Sequence, residues 1–314
     1  MSISENSYIG KKGYVVKKSS LSHRQIKKIQ DDLNVKPFIV ASMGGGGQNL
    51  PFPCYRESEK KLYLPRFYGV REFGDPAKSQ LNDFESIDLE FPNELRDYQT
   101  KIVDVYMNHC NTPDGNGGIL EVPCGKGKTV MALKIISLMK SKTLVIVHKE
   151  FLMNQWLERI EQFLPGAKIG KIQGPVFDIE GKDIVIGMLQ TLYLRQFEPN
   201  AFDSFGLTVI DEVHRIGSEQ FSKALFKAVT KNMLGISATV ERKDRLTNVL
   251  YMFIGPRIYH EDSRGDDQVC VRAIHYRAND EEFNEVELDY KGHPKYSTMI
   301  SKLCSFGPRS DFIV

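Results

Sequence analysis

From Phe91 onward, short runs of apolar residues alternate with segments that have helical spacing. The runs "GGILEVP", "TLVIVH", "DIVIG", "LTVIDE" and "NMLGISA" are rich in β-branched residues. The segments between them include "VMALKIISLMKS" and "KEFLMNQWLERIEQFL", in which apolar residues recur at helical intervals. Continuous apolar strands that alternate with helices are typical of a parallel sheet covered by helices on both faces. The sequence therefore predicts an α/β domain.

Length and composition fit one large domain with a smaller companion. The chain has 314 residues, of which 41% are hydrophobic and 26% charged, as is typical of a globular protein with a sizeable core. The 42 lysine and arginine residues nearly balance the 40 aspartate and glutamate residues, which leaves a formal net charge of +2. Bulk charge therefore gives no reason to expect nucleic acid or anionic lipid as a partner, and any nucleic-acid surface must be local.

The cysteine pattern and the lack of long apolar runs indicate the cellular compartment of the protein. The five cysteines are scattered and form no CxxC pair, which argues against a zinc or disulfide framework and fits a reducing compartment. No apolar run approaches the roughly 20 residues that span a bilayer. The first residues, "MSISENSYIG", have no apolar core for secretion. We expect a cytoplasmic or nuclear protein without a membrane partner.

Residues 1–88 precede the alternating pattern and predict a smaller α+β domain. Ser22 can cap a short helix on which Ile26, Ile29 and Leu33 share one face. The later segment "KLYLPRFYGVREFG" is predicted to form strand and turn, and it interleaves arginine with aromatic residues. Such a mixture can form a platform for single-stranded nucleic acid. Core packing of a small β-rich domain is nevertheless the favoured interpretation of its aromatic residues.

The stretch "EVPCGKGKTV" joins a predicted buried strand to a predicted helix. A strand, a glycine turn and a helix N-terminus aim backbone N–H groups and the positive end of the helix dipole at one point, where a phosphate can bind. Gly125 and Gly127 allow the backbone to approach closely. Lys128 can reach the β and γ phosphates, and Thr129 can ligate Mg²⁺. Because Val122 stands where the general pattern G-x-x-x-x-G-K-[ST] has glycine, this motif alone is a weak signal.

A later strand ends in two acidic residues. The segment "LTVIDEVH" places Asp211 and Glu212 where a parallel strand leaves the sheet. Asp211 would hold Mg²⁺ through its water shell, and Glu212 would orient and deprotonate an attacking water. An Asp-Glu pair on its own is better interpreted as a solvated turn. The glycine-lysine turn upstream makes a nucleotide-hydrolysing site the favoured interpretation.

Polar residues beside other elements extend this pattern. Ser237 and Thr239 follow the strand "NMLGISA". Arg96 and Gln99 lie before the first strand, where the side-chain amide of Gln99 can pair with an adenine edge. Each of these residues also has an ordinary interpretation as a turn or cap residue. Their order along the chain favours function.

The ordered motifs resemble those of superfamily 2 helicases. The segments "LRDYQ", "PCGKGKT", "VIVHKEFLMNQW", "IGMLQTL", "DEVH" and "SAT" are similar to the adenine motif and motifs I, Ia, Ib, II and III of that family. The resemblance covers the first RecA-like motor domain, at residues 89–262. The pair "PCGKGKT" and "DEVH" is most similar to the branch of the DNA-repair and transcription-factor helicase. In that branch a residue other than glycine often occupies the position of Val122.

Two further segments narrow the resemblance. The branch has a charged triplet after "SAT", and here "ERKD" stands in that place with a different order. The segment "SATVERKDRLTNVLYMFIGPRIYH", together with "LSHRQIKKIQDDLNVKP", resembles the transcript-release-type helicases of large cytoplasmic DNA viruses. This resemblance implies a role in viral transcription or repair, and a location in a virion or viral factory.

The resemblance implies ATP and Mg²⁺ as cofactors and gives each matching residue a role. Catalysis is assigned to Lys128, Asp211 and Glu212, and metal binding to Thr129 and Asp211. The residues assigned to nucleotide binding are Arg96, Gln99, Cys124, Gly125, Lys126, Gly127, Lys128 and Thr129. Coupling between nucleotide and nucleic acid is assigned to His214, Ser237 and Thr239. The residues assigned to nucleic-acid contact are His148, Lys149, Gln155, Gly187, Gln190 and Thr191. The implied partners are single-stranded or duplex nucleic acid, with DNA preferred, and proteins of a transcription or repair complex.

Three regions are predicted along the chain. Residues 1–88 form the accessory domain, residues 89–262 the ATP-binding RecA-like domain, and residues 263–314 a linker and the start of a second RecA-like domain. After the polar stretch "DSRGDDQ" we expect a strand, "VCVRAIHY", and a helix near "YSTMISKLCSF". The second domain of the family supplies arginines in a Q-x-x-G-R-x-x-R pattern, which nothing in this sequence matches. We therefore expect an N-terminal part of a longer helicase, with weak nucleotide binding and little turnover of its own.

Two other functions are compatible with some of these motifs. The first is a nucleotide-regulated scaffold subunit without turnover, which the complete set of Lys128, Asp211 and Glu212 disfavours because a scaffold does not need a water-activating acid. The second is a motor that moves along duplex without separating its strands. Motifs I to III do not distinguish such a motor from a strand-separating helicase.

Overall fold

The N-terminal part of the chain forms a small mixed sheet with two helices. The computed structural model describes residues 3–38, 50–81, 83–112, 115–215, 219–242, 244, 246–261, 274–290 and 292–313. The elements of this part are β1 (Ser7–Gly10), β2 (Gly13–Lys17), α1 (His23–Leu33), β3 (Asn34–Val35), β4 (Phe52–Pro53), β5 (Arg56–Glu57), β6 (Lys61–Leu64), α2 (Arg66–Phe73) and β7 (Lys78–Ser79). Five strands pair in the order β5-β6-β2-β1-β7, and β3 pairs separately with β4. The α+β character predicted for this part is confirmed.

Helix α1 lies where the sequence predicts a capped helix. The Ser22 hydroxyl accepts the Gln25 N–H at 3.3 Å, and the Gln25 side chain accepts the Ser22 N–H at 2.8 Å. This reciprocal cap satisfies two backbone donors at the start of the helix. Ile29 and Leu33 are buried in the same hydrophobic cluster as the inner face of the small sheet. The predicted apolar face of α1 is therefore confirmed.

The segment "KLYLPRFYGVREFG" is a strand followed by a helix, so its prediction as strand and turn is wrong for residues 66–73. Strand β6 stops before Pro65, which has no N–H to donate to a sheet. Phe67, Val70 and Phe73 then recur at helical intervals, and all three pack against the hydrophobic cluster. This periodicity was hidden in the sequence because the glycine and the two charged residues between these positions also suit a turn.

The remaining strands of the first unit form one large sheet. They are β8 (Gly117–Glu121), β9 (Thr143–Val147), β10 (Ile169–Gln173), β11 (Val176–Asp178), β12 (Ile184–Met188), β13 (Leu207–Asp211), β14 (Asn232–Ser237) and β15 (Arg257–His260). They lie in the order β11-β10-β12-β9-β13-β14-β8-β15. Every pair is parallel except β10 with β11. This is the parallel sheet that the apolar runs predict.

Helices cover both faces of the large sheet. They are α3 (Asp97–Cys110), α4 (Lys128–Met139), α5 (Glu150–Phe163), α6 (Leu189–Leu194), α7 (Glu219–Leu225) and α8 (Thr247–Ile254), and short 3₁₀ turns lie at Ser4–Asn6, Lys18–Ser20 and Val213–Arg215. Along β9, Val145 and Val147 join the cluster that contains α3, α4 and α5, whereas Leu144 and Ile146 join the cluster that contains α6, α7 and α8. Alternate side chains of a strand point to opposite faces, so each face has its own core. The predicted RecA-like α/β architecture is confirmed.

The small sheet is attached to the large sheet through a partly buried arginine. The two sheets lie in the same compact unit, Met1–Ser263. From the start of α2, the Arg66 guanidinium donates from Nη1 to the carbonyl oxygens of Thr230, at 3.2 Å, and Lys231. Burial lowers the pKa of Arg66 to about 10, so the group stays charged at neutral pH. A second link joins Lys11 in the β1–β2 turn to Asp203.

The second compact unit is Arg264–Val314. It contains the helices α9 (Glu281–Asn284), α10 (Tyr296–Ser305) and α11 (Gly307–Ile313). Helix α10 is the helix predicted near "YSTMISKLCSF", and Phe283 stacks on Phe306 with ring centroids 4.2 Å apart. The predicted boundary after residue 262 and most of the predicted strand "VCVRAIHY" lie outside the described residues. Among the helices described in either unit, none has the length and apolar character needed to cross a bilayer.

We predict that Arg66→Met lowers the free energy of unfolding by about 2 kcal/mol, because two carbonyl groups lose a charged donor at a partly buried position. Urea denaturation followed by circular dichroism measures this difference. Arg71→Met on the same helix is the matched control, since the Arg71 side chain is 58% exposed, and its effect should stay within about 0.5 kcal/mol. Equal effects of the two substitutions would contradict a specific role of Arg66.

Candidate functional site

The turn between β8 and α4 has the backbone of an anion-binding loop. Gly125 and Gly127 have φ angles of 80° and 79°, a conformation that glycine adopts without a steric penalty. Among the described residues, no atom beyond the chain neighbours lies within 4 Å of a Cβ built on Gly125, so the space above this turn is open. Helix α4 begins at Lys128, and its unpaired N–H groups and positive dipole end point to this space.

The side chain of Gln99 on α3 contacts the backbone of this loop. Its Nε2 donates to the Lys126 carbonyl at 3.0 Å, and its Oε1 accepts the Arg96 N–H at 3.0 Å. The Tyr98 hydroxyl also donates to the Lys126 carbonyl, at 3.2 Å. A Cβ on Gly127 would lie 2.5 Å from Gln99 Nε2, so a larger residue here would displace the Gln99 amide, and the positive φ favours glycine in any case. The predicted adenine contact of Gln99 and Arg96 stays a prediction.

The other residues predicted to bind nucleotide line the same turn. The Cys124 thiol is free and exposed. Lys126 lies over the Tyr98 ring at 5.3 Å and within 3.6 Å of the Glu261 carboxylate. Lys128 and Thr129, both partly exposed, form the first turn of α4. The structure therefore brings all the predicted phosphate-loop residues to the carboxyl end of β8.

Asp211 is the last residue of β13, and it is held by two N–H donors. Trp156 Nε1 on α5 donates to Asp211 Oδ2 at 2.8 Å, and the Glu212 backbone N–H donates to Oδ1 at 2.9 Å. Asp211 is only 6% exposed. Burial raises the pKa of its carboxyl group, and the hydrogen bond from Trp156 and the charge of Lys128 act in the opposite direction. Sequence reasoning gave no role to Trp156, although it lies in the segment assigned to motif Ia.

Glu212 has an unusual backbone conformation. Its φ is 52°, in the left-handed region that residues other than glycine seldom adopt and that clusters at functional sites. Its Oε2 lies 3.2 Å from His214 Nδ1. The reversal of the chain at Glu212 therefore keeps both acidic side chains at the end of β13.

His214, Ser237 and Thr239 form a chain of hydrogen bonds between β13 and β14. The Ser237 hydroxyl donates to the Thr239 carbonyl at 2.6 Å, so its oxygen must accept the bond from His214 Nδ1, at 2.8 Å. This assigns the ring proton to Nδ1, from which Glu212 Oε2 is also in reach. The structure thus places the three predicted coupling residues together, next to Glu212.

Arg242 and Glu121 belong to the same region and were missed as functional residues. Arg242, in the charged segment after "SAT", donates to the His214 carbonyl and, from Nε, to Asp244 at 2.9 Å. Glu121, at the end of β8, is 5% exposed. Its carboxylate accepts the Val240 N–H at 3.0 Å and the Arg257 guanidinium at 2.7 Å. The signal that could have pointed to Glu121 is a charged residue at the end of an apolar run.

The residues predicted to contact nucleic acid lie after β9 and in or after β12, which are neighbours in the sheet. Gln190 Nε2 donates to the His148 carbonyl at 2.9 Å, which joins the two segments. The Thr191 hydroxyl accepts the Gly174 N–H at 2.9 Å. Lys149 and Gln155 are exposed, whereas Gly187 is buried, where a Cβ would lie 3.3 Å from two leucine side chains. The structure brings the segment after β9 and the segment after β12 together, and the contacts of these residues with nucleic acid stay predictions.

Comparisons with known proteins agree with this geometry. The family model described as type III restriction enzyme, res subunit, matches residues 93–242. One relative is the protein L396 of Acanthamoeba polyphaga mimivirus, whose description as an ATP-dependent RNA helicase is itself an inference. It is 31% identical over 309 residues, which cover 96% of this chain and 59% of that protein. The DNA 3'-5' translocase XPB2 of Sulfurisphaera tokodaii is 34% identical over 168 residues, which cover 54% of this chain and 36% of that protein. The matched family model and these two relatives make the chain similar to the helicases and translocases of superfamily 2.

A solved structure supports the fold. The crystal structure of the UvsW helicase from bacteriophage T4 is similar with a TM-score of 0.52 and 16% identity, over 80% of this chain and 98% of that chain. At this identity the likeness shows the fold alone. The chain spans 59% of the length of its mimivirus relative and 36% of the length of its archaeal relative.

The residues of the site fit the nucleotide and the metal that an ATP-dependent helicase uses. The open space above Gly125 and the N-terminus of α4 suit phosphate groups. Mg²⁺ binds through one or two carboxylates, waters and phosphates, and Thr129 and Asp211 would be its protein ligands. A cation there would also favour the charged form of Asp211, which burial disfavours.

We predict that the intrinsic fluorescence of this protein responds to Mg²⁺ and ADP, because Trp156 is the single tryptophan of the chain and its indole donates a hydrogen bond to Asp211. Stepwise addition of ADP to the protein in the presence of Mg²⁺, with the tryptophan emission recorded at fixed pH, measures the response. Lys128→Ala keeps the indole contact but weakens phosphate binding, so its titration should need a much higher nucleotide concentration. A response of Lys128→Ala that matches the wild type would contradict this assignment.

We also predict that Trp156→Phe weakens Mg²⁺-dependent nucleotide binding by about tenfold or more, since groups that orient a metal ligand typically have effects of this size. The hydrogen bond from Trp156 lowers the pKa of Asp211, so its removal raises that pKa further. Because the metal needs the carboxylate form, binding should be lost at a higher pH than in the wild type as the solution is acidified. Binding of a fluorescent nucleotide between pH 4 and 8 tests this shift. Loss of binding at the same pH in Trp156→Phe and in the wild type would contradict it.

Proposed function

We propose that this protein hydrolyses ATP and couples hydrolysis to movement along nucleic acid, preferably DNA, in viral transcription or repair. The observation that carries the proposal is the arrangement at the carboxyl edge of the large sheet. The phosphate loop at Lys128, the acidic pair Asp211 and Glu212, and the His214–Ser237 bond lie there on the neighbouring strands β8, β14 and β13.

Each residue has a chemical role in this proposal. The Lys128 ammonium and the N–H groups of α4 offset the negative charge that develops on the phosphate oxygens. Glu212 orients a water and accepts its proton while the oxygen attacks the γ-phosphorus and the bond to the β–γ bridging oxygen breaks. Bound Mg²⁺, held through Asp211 and Thr129, would neutralise phosphate charge. Trp156 and the Glu212 N–H hold the Asp211 carboxylate in place for this purpose.

Coupling follows from the contact between Glu212 and His214. The His214 Nδ1 proton is shared between the Glu212 carboxylate and the Ser237 hydroxyl. When the Glu212 carboxylate binds a water or gains a proton, its interaction with His214 Nδ1 weakens. The hydrogen bond between His214 Nδ1 and the Ser237 hydroxyl, at the end of β14, then changes as well. The Arg242 bond to the His214 carbonyl would carry the same change into the segment after "SAT".

The choice of nucleic acid rests on similarity. The archaeal relative, which is named as a DNA translocase, is 34% identical over its matched residues, and the mimivirus relative is named as an RNA helicase. We favour DNA because the motor motifs are most similar to the DNA-repair and transcription-factor branch. The mimivirus relative covers 96% of this chain, which supports a viral role and partners within a transcription or repair complex.

The resemblance to the family implies that arginines of a second RecA-like domain complete the active site. Loss of such an arginine lowers the rate by on the order of 10³ or more in related phosphoryl transfers. We therefore propose that residues 1–314 alone bind nucleotide weakly and turn it over very slowly. Binding and single-turnover measurements consequently test this chain better than steady-state rates do.

We predict that Lys128→Ala lowers affinity for labelled ATP with Mg²⁺ by tenfold or more, the equivalent of about 1.4 kcal/mol, whereas Glu212→Gln keeps affinity and abolishes single-turnover hydrolysis. Lys134→Ala, on the same helix and beside the Phe91 ring, is the matched control and should leave both measurements unchanged. If Glu212→Gln hydrolyses ATP at the wild-type rate, or if the wild type shows none, a nucleotide-regulated scaffold becomes the better proposal.

We predict that Ser237→Ala reduces the coupling between nucleotide and nucleic acid. Coupling is measured as the ratio of oligonucleotide dissociation constants with and without Mg²⁺ and a non-hydrolysable ATP analogue, and it needs no turnover. The ratio should fall toward one while nucleotide affinity stays constant. Ser137→Ala is the matched control, since Ser137 also donates to a carbonyl, that of Leu89 at 2.9 Å, but lies away from the site. An unchanged ratio in Ser237→Ala would reject the proposed coupling route.

A further inference from the structure

One face of the small sheet carries aromatic and basic side chains around the buried Val15. Residues paired across neighbouring strands point to the same face, and the register pairs Lys78 with Tyr8, Tyr8 with Val15, and Val15 with Tyr63. Lys17 and Lys61 form the next pair on this face. We call it the open sheet face, and it is defined by Tyr8, Lys12, Lys17, Lys61, Tyr63 and Lys78.

The opposite face of the same sheet is the one that the helices cover. Ile9, Tyr14, Val16, Leu62 and Leu64 are all buried there, in the hydrophobic cluster that includes residues of α1. The open sheet face has a different exposure. Lys12, Lys17 and Lys78 are exposed, and the remaining members are partly exposed. The aromatic rings of the open sheet face are therefore not part of the core of the small domain. They differ in this from Phe67, Tyr68 and Phe73, which pack in that core as the sequence indicated.

The two tyrosine rings hold two lysine ammonium groups above the sheet. Lys61 Nζ donates to the Tyr8 hydroxyl at 3.0 Å and lies 5.3 Å from the centroid of the Tyr8 ring. Lys12 Nζ lies 5.3 Å from the centroid of the Tyr63 ring. An ammonium group has three N–H donors, so each of these lysines keeps donors for another ligand while its ring holds it in place.

The charge of the open sheet face is of one sign. Its members carry four lysines, and none of the described strand residues that point to it is acidic. Glu57 on β5 pairs with Leu62 in register, so it belongs to the opposite face, where it binds Lys18 at 2.8 Å. Four positive charges, with no acidic side chain among the described strand residues of this face, are complementary to a polyanion.

We propose that the open sheet face binds single-stranded nucleic acid, with Tyr8 and Tyr63 as stacking surfaces for bases and the four lysines as phosphate contacts. Aromatic rings on a sheet combined with cations that follow a backbone are how proteins bind single strands without sequence preference. A base that stacks on Tyr8 or Tyr63 displaces the ammonium from the ring toward the adjacent phosphate. Duplex does not expose the faces of its internal bases, so a single strand is the occupant that uses both kinds of group.

This site is separate from the motor's own nucleic-acid contacts at residues 148–155 and 187–191. It rests on the proposed function only for its class of ligand, and it does not need ATP hydrolysis. Arg66 attaches the small sheet to the large sheet, so a strand on the open sheet face is held at a fixed place relative to the motor. The site therefore adds an anchoring contact that a motor domain by itself lacks.

The test uses the whole chain without nucleotide and fluorescence anisotropy of a labelled 20-nucleotide oligothymidylate at several salt concentrations. The triple variant Lys12→Gln, Lys17→Gln, Lys78→Gln should bind more weakly and should reduce the slope of log affinity against log salt by about 2, since each phosphate contact on a single strand contributes about 0.7. The control triple, Arg24→Gln, Lys27→Gln, Lys28→Gln on α1, makes the same charge change on exposed residues of the covered side. Equal losses in the two triples would overturn the proposal.

Stacking is tested separately with an abasic oligonucleotide of the same length. Tyr8→Leu with Tyr63→Leu should lower affinity for oligothymidylate by about fivefold or more and leave affinity for the abasic strand unchanged. Tyr8→Phe with Tyr63→Phe keeps the ring faces and should restore binding, which separates stacking from a loss of folding. Equal losses on both strands, no loss at all, or no wild-type binding would each overturn the proposal.

A Lys128→Ala background keeps this test distinct from the test of the motor. The open sheet face should lose none of its oligonucleotide affinity in that background when nucleotide is absent, even though nucleotide binding fails. If ATP hydrolysis is found but the tyrosine and lysine variants bind normally, the inference fails and the motor proposal stands. If the variants lose binding but Glu212→Gln shows no effect on hydrolysis, the motor proposal fails and the inference stands.

Discussion

The buried carboxylate of Asp211 is the constraint on which the rest of the site depends. An ionised carboxylate away from water is unfavourable unless donors or a cation compensate it. In this chain the compensation comes from the indole of Trp156, the Glu212 N–H and the nearby Lys128. Helix α5 must lie where its tryptophan reaches β13, and α4 must begin where its lysine reaches the same point. The apolar residues of these two helices pack on one face of the sheet, and this packing brings both side chains to the end of β13.

Around this carboxylate, the ends of three adjacent strands are joined by side chains and not by the sheet alone. His214 and Ser237 connect β13 with β14, and Glu121 connects β8 with the segment that follows β14. Backbone pairing fixes the strands themselves, and the loops beyond them are held by these polar contacts together with buried apolar residues such as Val213 and Val240. A change in the polar contacts would alter the loops without altering the pairing of the strands, which is the property that a nucleotide-sensing site needs.

Much of this could be predicted from the sequence. Continuous apolar runs fixed the parallel sheet, and because parallel strands carry their loops at one edge, Lys128, Asp211 and Ser237 were expected together. Contacts of Trp156 with Asp211 and of Gln99 with Lys126 could not be predicted, since the direction of a side chain depends on how helices pack. The helix after Pro65 was missed because its residues suit a turn equally well when nothing shows what they pack against. The face on which Tyr8 and Tyr63 lie required the strand register, which a single sequence does not give.

The attachment of the small sheet through Arg66 has a mechanical consequence. A module on a flexible linker would search for its ligand independently and would exert no directed pull on it. Here the guanidinium reaches two carbonyls in the loop before β14, and the surrounding apolar residues belong to a hydrophobic cluster shared by both sheets. In the proposed motor, the small sheet would therefore act as a rigid arm. Any force on a polymer gripped by that arm would be transmitted directly to the strand that carries Ser237.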